Sequence, residues 1–285
     1  MNIRIMKLGL GVVGLYLIVL PALAQRAIPD DNLAYPVLIK IGPGNGSGFF
    51  LHTATSGYLV TAKHVFIDPA TGNLRADRAE LISYAKNPKD QSRNVLELDL
   101  LKLKESGNLI AHPSEDVAVA KLTSGVPLNQ GQQKDLTVAF NDSVKAKESA
   151  PGGLLAVSLD TVKTFDEVLA GNDIVLFGYP NSIGLRESPQ LDPMRPLLRK
   201  GIVAGLNPAK KSIIVDCPSY PGNSGGPVLQ IERQFTTSKF GIIGVVIEYV
   251  PFVEPVQVAR TSGAALANSG YSIVAPIDFV LELVK

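Results

Sequence analysis

Short apolar runs separated by turn-forming residues dominate the first half of the chain after its N-terminal segment. The runs are rich in β-branched and other apolar residues and are bounded by Gly, Pro, Asn or Asp, which favours short strands over helices. The predicted strands of this half are Val37–Ile41, Gly48–Leu51, Tyr58–Ala62, Ala79–Ala85, Val95–Leu103 and Asp116–Leu122.

The second half repeats this pattern and ends differently. Its predicted strands are Asp173–Gly178, Gly201–Leu206, Ser212–Asp216, Val228–Ile231 and Gly241–Tyr249. At the C-terminus, the spacing of Ile277, Val280, Leu281 and Val284 predicts a short helix over Pro276–Val284.

The stretch between the two sets, residues 123–164, is more polar and contains Pro151-Gly152-Gly153, as a connection between lobes would. We therefore predict a mostly β protein with two lobes, 25–150 and 151–285. The 285 residues suffice for two lobes with substantial cores.

Gly42–Gly48 reads GPGNGSG and is predicted to be a turn. A phosphate-binding loop is the alternative for such a glycine-rich run, but a P-loop requires Lys-Ser or Lys-Thr directly after it, whereas Phe49-Phe50 follow here.

The first 24 residues have the layout of a secretory signal peptide. Arg4 and Lys7 precede an apolar run from Leu8 to Leu20, and Pro21 and Ala22-Leu23-Ala24 follow. We expect cleavage after Ala24 and export of the mature protein. An uncleaved membrane anchor is the alternative, because the apolar run approaches the length of a membrane span.

Charge argues against a nucleic-acid partner. The chain has 27 basic and 26 acidic residues, and loss of Arg4 and Lys7 with the leader would leave 27 − 2 = 25 basic residues. A near-neutral chain without a basic stripe does not fit phosphate-backbone binding.

The sequence also predicts no metal or other cofactor. Three histidines (His52, His64 and His112) and one cysteine, without H-E-x-x-H spacing, form no zinc-ligand pattern. Cys217, the only cysteine, excludes an internal disulfide. Its apolar neighbours favour an inert buried thiol over a nucleophile.

Gly222-Asn223-Ser224-Gly225-Gly226 fits the pattern G-x-S-x-G of hydrolase nucleophiles, although chance alone supplies such a short motif readily. An α/β-hydrolase needs a histidine after this serine, whereas all three histidines precede Ser224. The order His, Asp, Ser remains, in which an imidazole removes the serine proton and a carboxylate orients the imidazole.

His64, at the end of the run Tyr58–Val65, is the predicted base, and Asp116, at the mouth of the run Asp116–Leu122, is the predicted carboxylate. A structural histidine and a strand-capping acid are the plainer interpretations of these two residues. His112 is the rival base, but it precedes Pro113 in a polar turn that suggests a solvated loop, and His52 lies near an early turn.

Three stretches together resemble the chymotrypsin-like serine proteases, and in particular their HtrA-type bacterial branch. They are TAKHV at Thr61–Val65, DVAVAKL at Asp116–Leu122 and PGNSGGPV at Pro221–Val228. Supporting likenesses are GSGFF at Gly46–Phe50, GNDIVLFGYP at Gly171–Pro180, RKGIVAG at Arg199–Gly205, and Asp216 eight residues before Ser224.

This resemblance implies two perpendicular six-stranded β-barrels with His64, Asp116 and Ser224 meeting in the cleft between them. It also implies peptide-bond hydrolysis of protein or peptide substrates, with the N–H groups of Gly222 and Ser224 as the oxyanion hole, and a bacterial periplasmic or secreted location. The two lobes leave no room for an appended PDZ domain, and the trimers of HtrA-type proteases are not carried over.

Departures from the digestive branch refine the expected activity. Asn223 stands where those enzymes have an Asp that pairs with a new N-terminus, so no such activation cut is expected. Pro218 stands at the bottom of the implied specificity pocket, with Ser219, Tyr220, Ile247 and Glu248 around it. Small or aliphatic side chains before the scissile bond are expected, although Glu248 could alter that preference. A double barrel that binds without catalysing is the alternative function.

Overall fold

The computed structural model describes residues 28, 33–87, 89–124, 139–181, 187–233, 237–258 and 261–284. Side chains are described throughout these ranges except at 124, 256–258 and 261–265. The expected signal peptide, residues 1–24, lies outside the described residues.

The first part of the chain forms a nine-stranded sheet. Eight strands follow the order β6-β7-β3-β2-β1-β4-β5-β8, and β9 adds a short parallel pair to β2. The strands are β1 (Pro36–Ile41), β2 (Gly44–His52), β3 (Ser56–Thr61), β4 (Arg78–Tyr84), β5 (Arg93–Asp99), β6 (Leu109–Ala111), β7 (Ala118–Ser124), β8 (Val144–Glu148) and β9 (Val157–Ser158).

The second part closes into a six-stranded barrel in the order β10-β11-β12-β15-β14-β13. Its strands are β10 (Asp173–Gly178), β11 (Leu197–Asn207), β12 (Ser212–Asp216), β13 (Pro227–Arg233), β14 (Ser238–Val258) and β15 (Thr261–Pro276).

In the described ranges, three short α-helices accompany the sheets: α1 (Lys63–Phe66), α2 (Leu100–Glu105) and α3 (Ile277–Leu281). Asp99 caps α2 because its side chain accepts the Lys102 N–H at 2.9 Å. Two 3₁₀ turns, Leu159–Thr161 and Phe165–Glu167, lie between the sheets in sequence. None of the helices in the described part of the chain is long and apolar enough to cross a membrane.

The hydrophobic core joins the two sheets. One cluster combines Phe49 and Val60 of the first sheet with Phe177 and Leu229 of the barrel. The same cluster includes Ile277 and Val280 of α3, both fully buried. Burial of such side chains is the main stabilising term available to a chain whose one cysteine is free.

The predicted all-β double-barrel fold with a C-terminal helix is confirmed. The first sheet has nine strands among the described residues where six were expected, because β6 and β9 are only three and two residues long and β8 is mostly charged. The strands change sheets between Ser158 and Asp173, whereas the proposed lobe boundary lies near residue 150.

The predicted turn over Gly42–Gly48 is wrong for most of its length. Only Gly42 and Pro43 form the turn, and β2 begins at Gly44. Two glycines of β2 are needed for close packing: a Cβ at Gly46 would meet both methyl groups of Val65 at 2.7 Å, and one at Gly48 would meet the Val60 carbonyl at 2.7 Å.

Candidate active site

His64 and Asp116 lie side by side on segments that connect strands of the first sheet. His64 sits in α1, the single helical turn that follows β3, and Asp116 lies in the loop between β6 and β7. His64 Nδ1 is 2.5 Å from Asp116 Oδ2, and the His64 backbone N–H donates to Asp116 Oδ1 at 2.8 Å. These two contacts fix the carboxylate against both the main chain and the ring of one residue.

Both side chains remain partly accessible. The His64 side chain is 29% exposed and that of Asp116 is 31% exposed. The imidazole therefore meets the carboxylate on one side while it can reach a second partner through the cleft. The strand predicted over Tyr58–Ala62 is β3, which stops at Thr61, and the rest of the run to Val65 turns into α1, so His64 lies in a helical turn.

Ser224 follows β12 in a tight loop that is tied to both sheets. Its carbonyl accepts the Ser47 N–H of β2 at 2.8 Å, and the next N–H, of Gly225, donates to Val246 of β14 at 2.8 Å. Gly225 has φ +88°, and a Cβ there would meet Ser47 O at 2.0 Å and Thr61 Oγ1 at 2.1 Å. Only glycine fits this close approach.

The loop before Ser224 leaves two backbone donors unused. Gly222 has φ +92°, and its carbonyl accepts the Ser47 hydroxyl at 2.6 Å. Within the described part of the chain, neither the Gly222 N–H nor the Ser224 N–H donates to a protein acceptor. Both donors are therefore available to an anionic oxygen.

Asn223 supports this loop from inside. It is 1% exposed, and its side-chain oxygen accepts the Tyr220 N–H at 3.0 Å. Its own N–H donates to the Tyr220 carbonyl at 2.9 Å.

A cleft of about 570 Å³ opens beside these groups. It is lined by His64, Gly222 and Ser224 and continues along the turn after β1 and the loop after α1. The other lining residues are Ile41, Pro43, Gly44, Asn45, Val65, Asp68, Thr71, Leu74, Arg75 and Pro221.

The five expected pocket residues do not line this cleft. Ser219 is 3% exposed, and its hydroxyl accepts that of Ser272 at 2.8 Å. Pro218, Tyr220 and Ile247 are half-buried, and Glu248 is exposed. Val246, directly before Ile247, is bonded to Gly225 and Gly226, so this end of β14 runs beside the Ser224 loop.

Two residues of the site carried no sequence signal for their roles. Arg75 lines the cleft, and its Nε donates to the His64 carbonyl at 2.7 Å. Ser47 belongs to the GSGFF stretch, which does not indicate its contacts: its hydroxyl also accepts the Tyr179 N–H at 3.0 Å. Such roles depend on partners distant along the chain.

The remaining chemical candidates lie elsewhere. Cys217 is fully buried, and burial raises the pKa of its thiol to about 11, which keeps it protonated and unreactive near neutral pH. Asp216 is exposed. Among the described residues, His, Cys, Asp and Glu form no group of three that could hold a metal ion.

The expectation that His112 lies in a solvated loop is wrong. His112 is 6% exposed, and its Nε2 lies 3.1 Å from Glu282 Oε2 near the C-terminus. His52 ends β2, with its Nδ1 buried and without a partner in the described structure. His64 is thus the histidine that shares the cleft with Ser224.

Comparison with known proteins adds a family match. A family model described as a trypsin-like peptidase domain matches residues 46–235. No curated protein matches the sequence.

Several solved structures are similar to this chain. Deg5 is 20% identical, with 88% of each chain covered and a TM-score of 0.48. The HtrA-type protease AlgW with a tripeptide is 17% identical over 90% of this chain, with a TM-score of 0.47, and the match spans only 60% of that chain. The thermostable serine protease AL20 from an extremophilic microorganism is 14% identical, with 89% and 96% covered and a TM-score of 0.49.

Proposed function

The chain belongs to the trypsin-like peptidase domain family and is a serine endopeptidase of that fold, and we propose that it cleaves peptide bonds by acylation of Ser224. The observation that carries the proposal is one cleft lined by Ser224, Gly222 and His64, with His64 Nδ1 2.5 Å from Asp116. A serine hydroxyl needs such a base to become nucleophilic at neutral pH.

In the proposed reaction, His64 Nε2 takes the Ser224 proton as the hydroxyl oxygen attacks the substrate carbonyl. His64 then gives that proton to the leaving amine, and the acyl-enzyme forms. A water molecule then attacks the acyl carbonyl while His64 takes its proton. His64 returns this proton to Ser224 Oγ as the acid product leaves. Asp116 holds the ring with Nδ1–H toward the carboxylate and stabilises the imidazolium.

The carbonyl oxygen becomes negatively charged in each tetrahedral intermediate. The unused N–H groups of Gly222 and Ser224 are the proposed donors to this oxygen. One such donor contributes about 3 to 4 kcal/mol to transition-state stabilisation.

A fluorophosphonate probe tests the nucleophile, because it reacts only with an activated serine. We expect the full-length wild type and the exposed-site control Ser106→Ala to be labelled, and Ser224→Ala and His64→Ala to lose labelling while retaining the wild-type circular dichroism spectrum. A folded wild type that resists the probe would instead indicate a non-catalytic binding module.

The proposed pocket for the residue before the scissile bond is formed by Pro218, Ser219, Tyr220, Ile247 and Glu248. Ser219 is hydrogen-bonded to the Ser272 hydroxyl through its side chain and to the Asn268 side chain through its carbonyl. Pro218, at the proposed bottom of the pocket, carries no negative charge. Small or aliphatic side chains are therefore the proposed substrates at this position. A peptide library cleaved strongly and exclusively after Arg or Lys would refute this assignment.

We propose that no internal activation cut is needed, because the Asn223 side chain already supports the Ser224 loop from within the chain. We also propose export to the periplasm or the medium with cleavage after Ala24. Mass spectrometry of the mature protein checks the leader cleavage and the absence of an internal cut: the expected form begins at Gln25 and is otherwise intact. This intact form is expected to react with the fluorophosphonate probe.

A further inference from the structure

The loop that carries Asp116 is closed by His112. Residues 112–117 connect β6 to β7, whose last ladder pair is Ala111 with Ala118. The His112 N–H donates to the Val117 carbonyl at 2.9 Å across the base of the loop. The His112 side chain is 7% exposed, so its ring fills the space beside this loop.

Both ring nitrogens of His112 are engaged. Nδ1 accepts the Glu115 N–H at 3.0 Å, and the Ser114 N–H lies 3.4 Å from the same atom. Because Nδ1 is an acceptor, the proton is on Nε2, which donates to Glu282 Oε2 at 3.1 Å. The bond to Glu115 fixes the peptide unit immediately before that of Asp116.

The ring also connects this loop to the C-terminal helix. Its centroid lies 5.1 Å from that of Phe279 in α3, with the planes tilted by 59°. Glu282, at the end of the same helix, accepts the hydrogen bond from Nε2. The C-terminal segment of the chain thus buttresses a loop of the first sheet.

A third set of contacts ties the loop to His64. Lys63 Nζ donates to the His112 carbonyl at 2.9 Å, and the Lys63 N–H donates to the Asp116 carbonyl at 3.2 Å. Lys63 directly precedes His64 in α1. His112 therefore borders both chain segments that must keep the 2.5 Å contact between His64 and Asp116.

We propose that His112 is a positioning residue for Asp116: its Nδ1 holds the Glu115 N–H and thereby sets the direction of the Asp116 carboxylate toward His64. This inference rests on the proposed function. A histidine that merely fills the core would affect stability without a specific effect on turnover, and the two ring nitrogens allow the two roles to be separated.

Two isosteric substitutions keep one nitrogen's contact each. In His112→Asn the amide oxygen takes the place of Nδ1 and still accepts the Glu115 N–H, whereas the link to Glu282 is lost. In His112→Gln the amide nitrogen takes the place of Nε2 and still reaches Glu282, whereas the acceptor for Glu115 is lost. Both variants remove the aromatic contact with Phe279.

The experiment measures kcat and KM for a quenched fluorescent peptide with the full-length chain, together with Tm. We expect His112→Gln to lower kcat about 10- to 100-fold with KM within about twofold, since small misplacements of catalytic groups have effects of this size. His112→Asn is expected to restore kcat to within about threefold of wild type at a similar Tm.

A second pair of variants keeps the test decisive if His112→Gln does not fold. Glu115→Pro removes the N–H that Nδ1 accepts, and Glu115→Ala retains it; both variants lose the carboxylate that accepts the Ser114 hydroxyl at 3.2 Å, and proline in addition fixes φ. The expected kcat loss is confined to the proline variant. Equal kcat in the two members of either pair would overturn the inference, whereas an inactive, probe-resistant wild type would refute the proposed function itself.

Discussion

Ser47 connects the loop of the proposed nucleophile to both sheets. Its hydroxyl donates to the Gly222 carbonyl at 2.6 Å and accepts the Tyr179 N–H at 3.0 Å, and the side chain is fully buried. Ser47→Ala leaves both partners unsatisfied in the interior. We expect it to lower the free energy of unfolding by about 1–3 kcal/mol. Loosening of Gly222 should lower kcat by about tenfold, which corresponds to about 1.4 kcal/mol.

Ser83→Ala is the matched control, because Ser83 is also a buried serine but lies in β4. Its kcat is expected to remain that of wild type. Denaturant titration and peptide hydrolysis measure the two effects of Ser47→Ala separately. Wild-type kcat in Ser47→Ala would show that the Gly222 loop holds its shape without this hydroxyl.

At the scale of single residues, short local motifs predicted a shared site for His64 and Ser224, and both line one cleft in the structure. His64 and Ser224 stand in recognisable motifs, whereas the role of His112 depends on Glu282, 170 positions away in the chain. Proline after His112 suggested a solvated turn, and only folding reveals that α3 covers this turn. Arg75 was missed for the same reason, since its partner is a backbone carbonyl that carries no sequence signature.

Elements were predicted best where apolar residues recur at strand spacing. The strand Asp173–Gly178 was predicted with its observed bounds, and its interior residues are buried. The predicted strand Gly241–Tyr249 is much longer in the structure, running from Ser238 to Val258. Pro251 and Pro255 lie in this extension, where β14 pairs only with β15, and proline is tolerated in a strand with one open edge.

The outer part of the β14–β15 hairpin is a two-stranded ribbon, which contributes little to the core. Beyond the pair Pro251–Asn268, its described side chains Phe252, Val253 and Leu266 are 55%, 56% and 70% exposed. Replacing residues 252–267 by Asn-Gly should therefore leave Tm within about 4 °C of wild type, a shift that corresponds to less than about 1–2 kcal/mol for a chain of this size. Differential scanning calorimetry measures this shift.

The replacement retains Asn268, whose side chain donates to the Ser219 carbonyl at 2.6 Å. Fluorophosphonate labelling is expected to persist for this reason. Asn268→Ala in the full-length chain is the contrasting variant, because it removes the link between the ribbon base and the proposed pocket. A large drop in Tm on shortening the ribbon would mean that it packs on the body of the protein.

At the scale of the whole molecule, the proposed site exists because the two sheets meet. Residue order and motif resemblance predicted that His64 and Asp116 come from the first lobe and Ser224 from the second. The contacts that hold the lobes together were beyond sequence reasoning, since Ser47 and Tyr179 bond to groups more than 100 positions away. Periodicity reports which face of a strand is buried, but not which strand of another sheet will cover it.

Tyr179 makes one of these contacts between the lobes, and its ionisation should make the fold sensitive to alkali. It is 1% exposed, follows β10, and donates its hydroxyl to the Pro36 carbonyl of β1 at 3.1 Å. Burial raises the pKa of this phenol far above its ordinary value of 10.0. Below about pH 10 both folded and unfolded chains keep the proton, whereas above it only the unfolded chain releases it. The free energy of unfolding should then fall by about 1.4 kcal/mol per pH unit for this one proton.

Tyr179→Phe separates this effect from the other groups that titrate in alkali. The variant is expected to be less stable at pH 8 by about 1–3 kcal/mol, because the Pro36 carbonyl loses its buried partner. Above pH 10, however, the free energy of unfolding of this variant should fall less steeply than that of wild type, by about 1.4 kcal/mol per pH unit, because position 179 no longer carries a phenol that can ionise. Tyr271→Phe, at a side chain that is 43% exposed, should keep the wild-type slope. Urea titrations between pH 8 and 11 measure these slopes. Parallel curves for wild type and Tyr179→Phe would show that the contact between Tyr179 and Pro36 is lost before the protein unfolds.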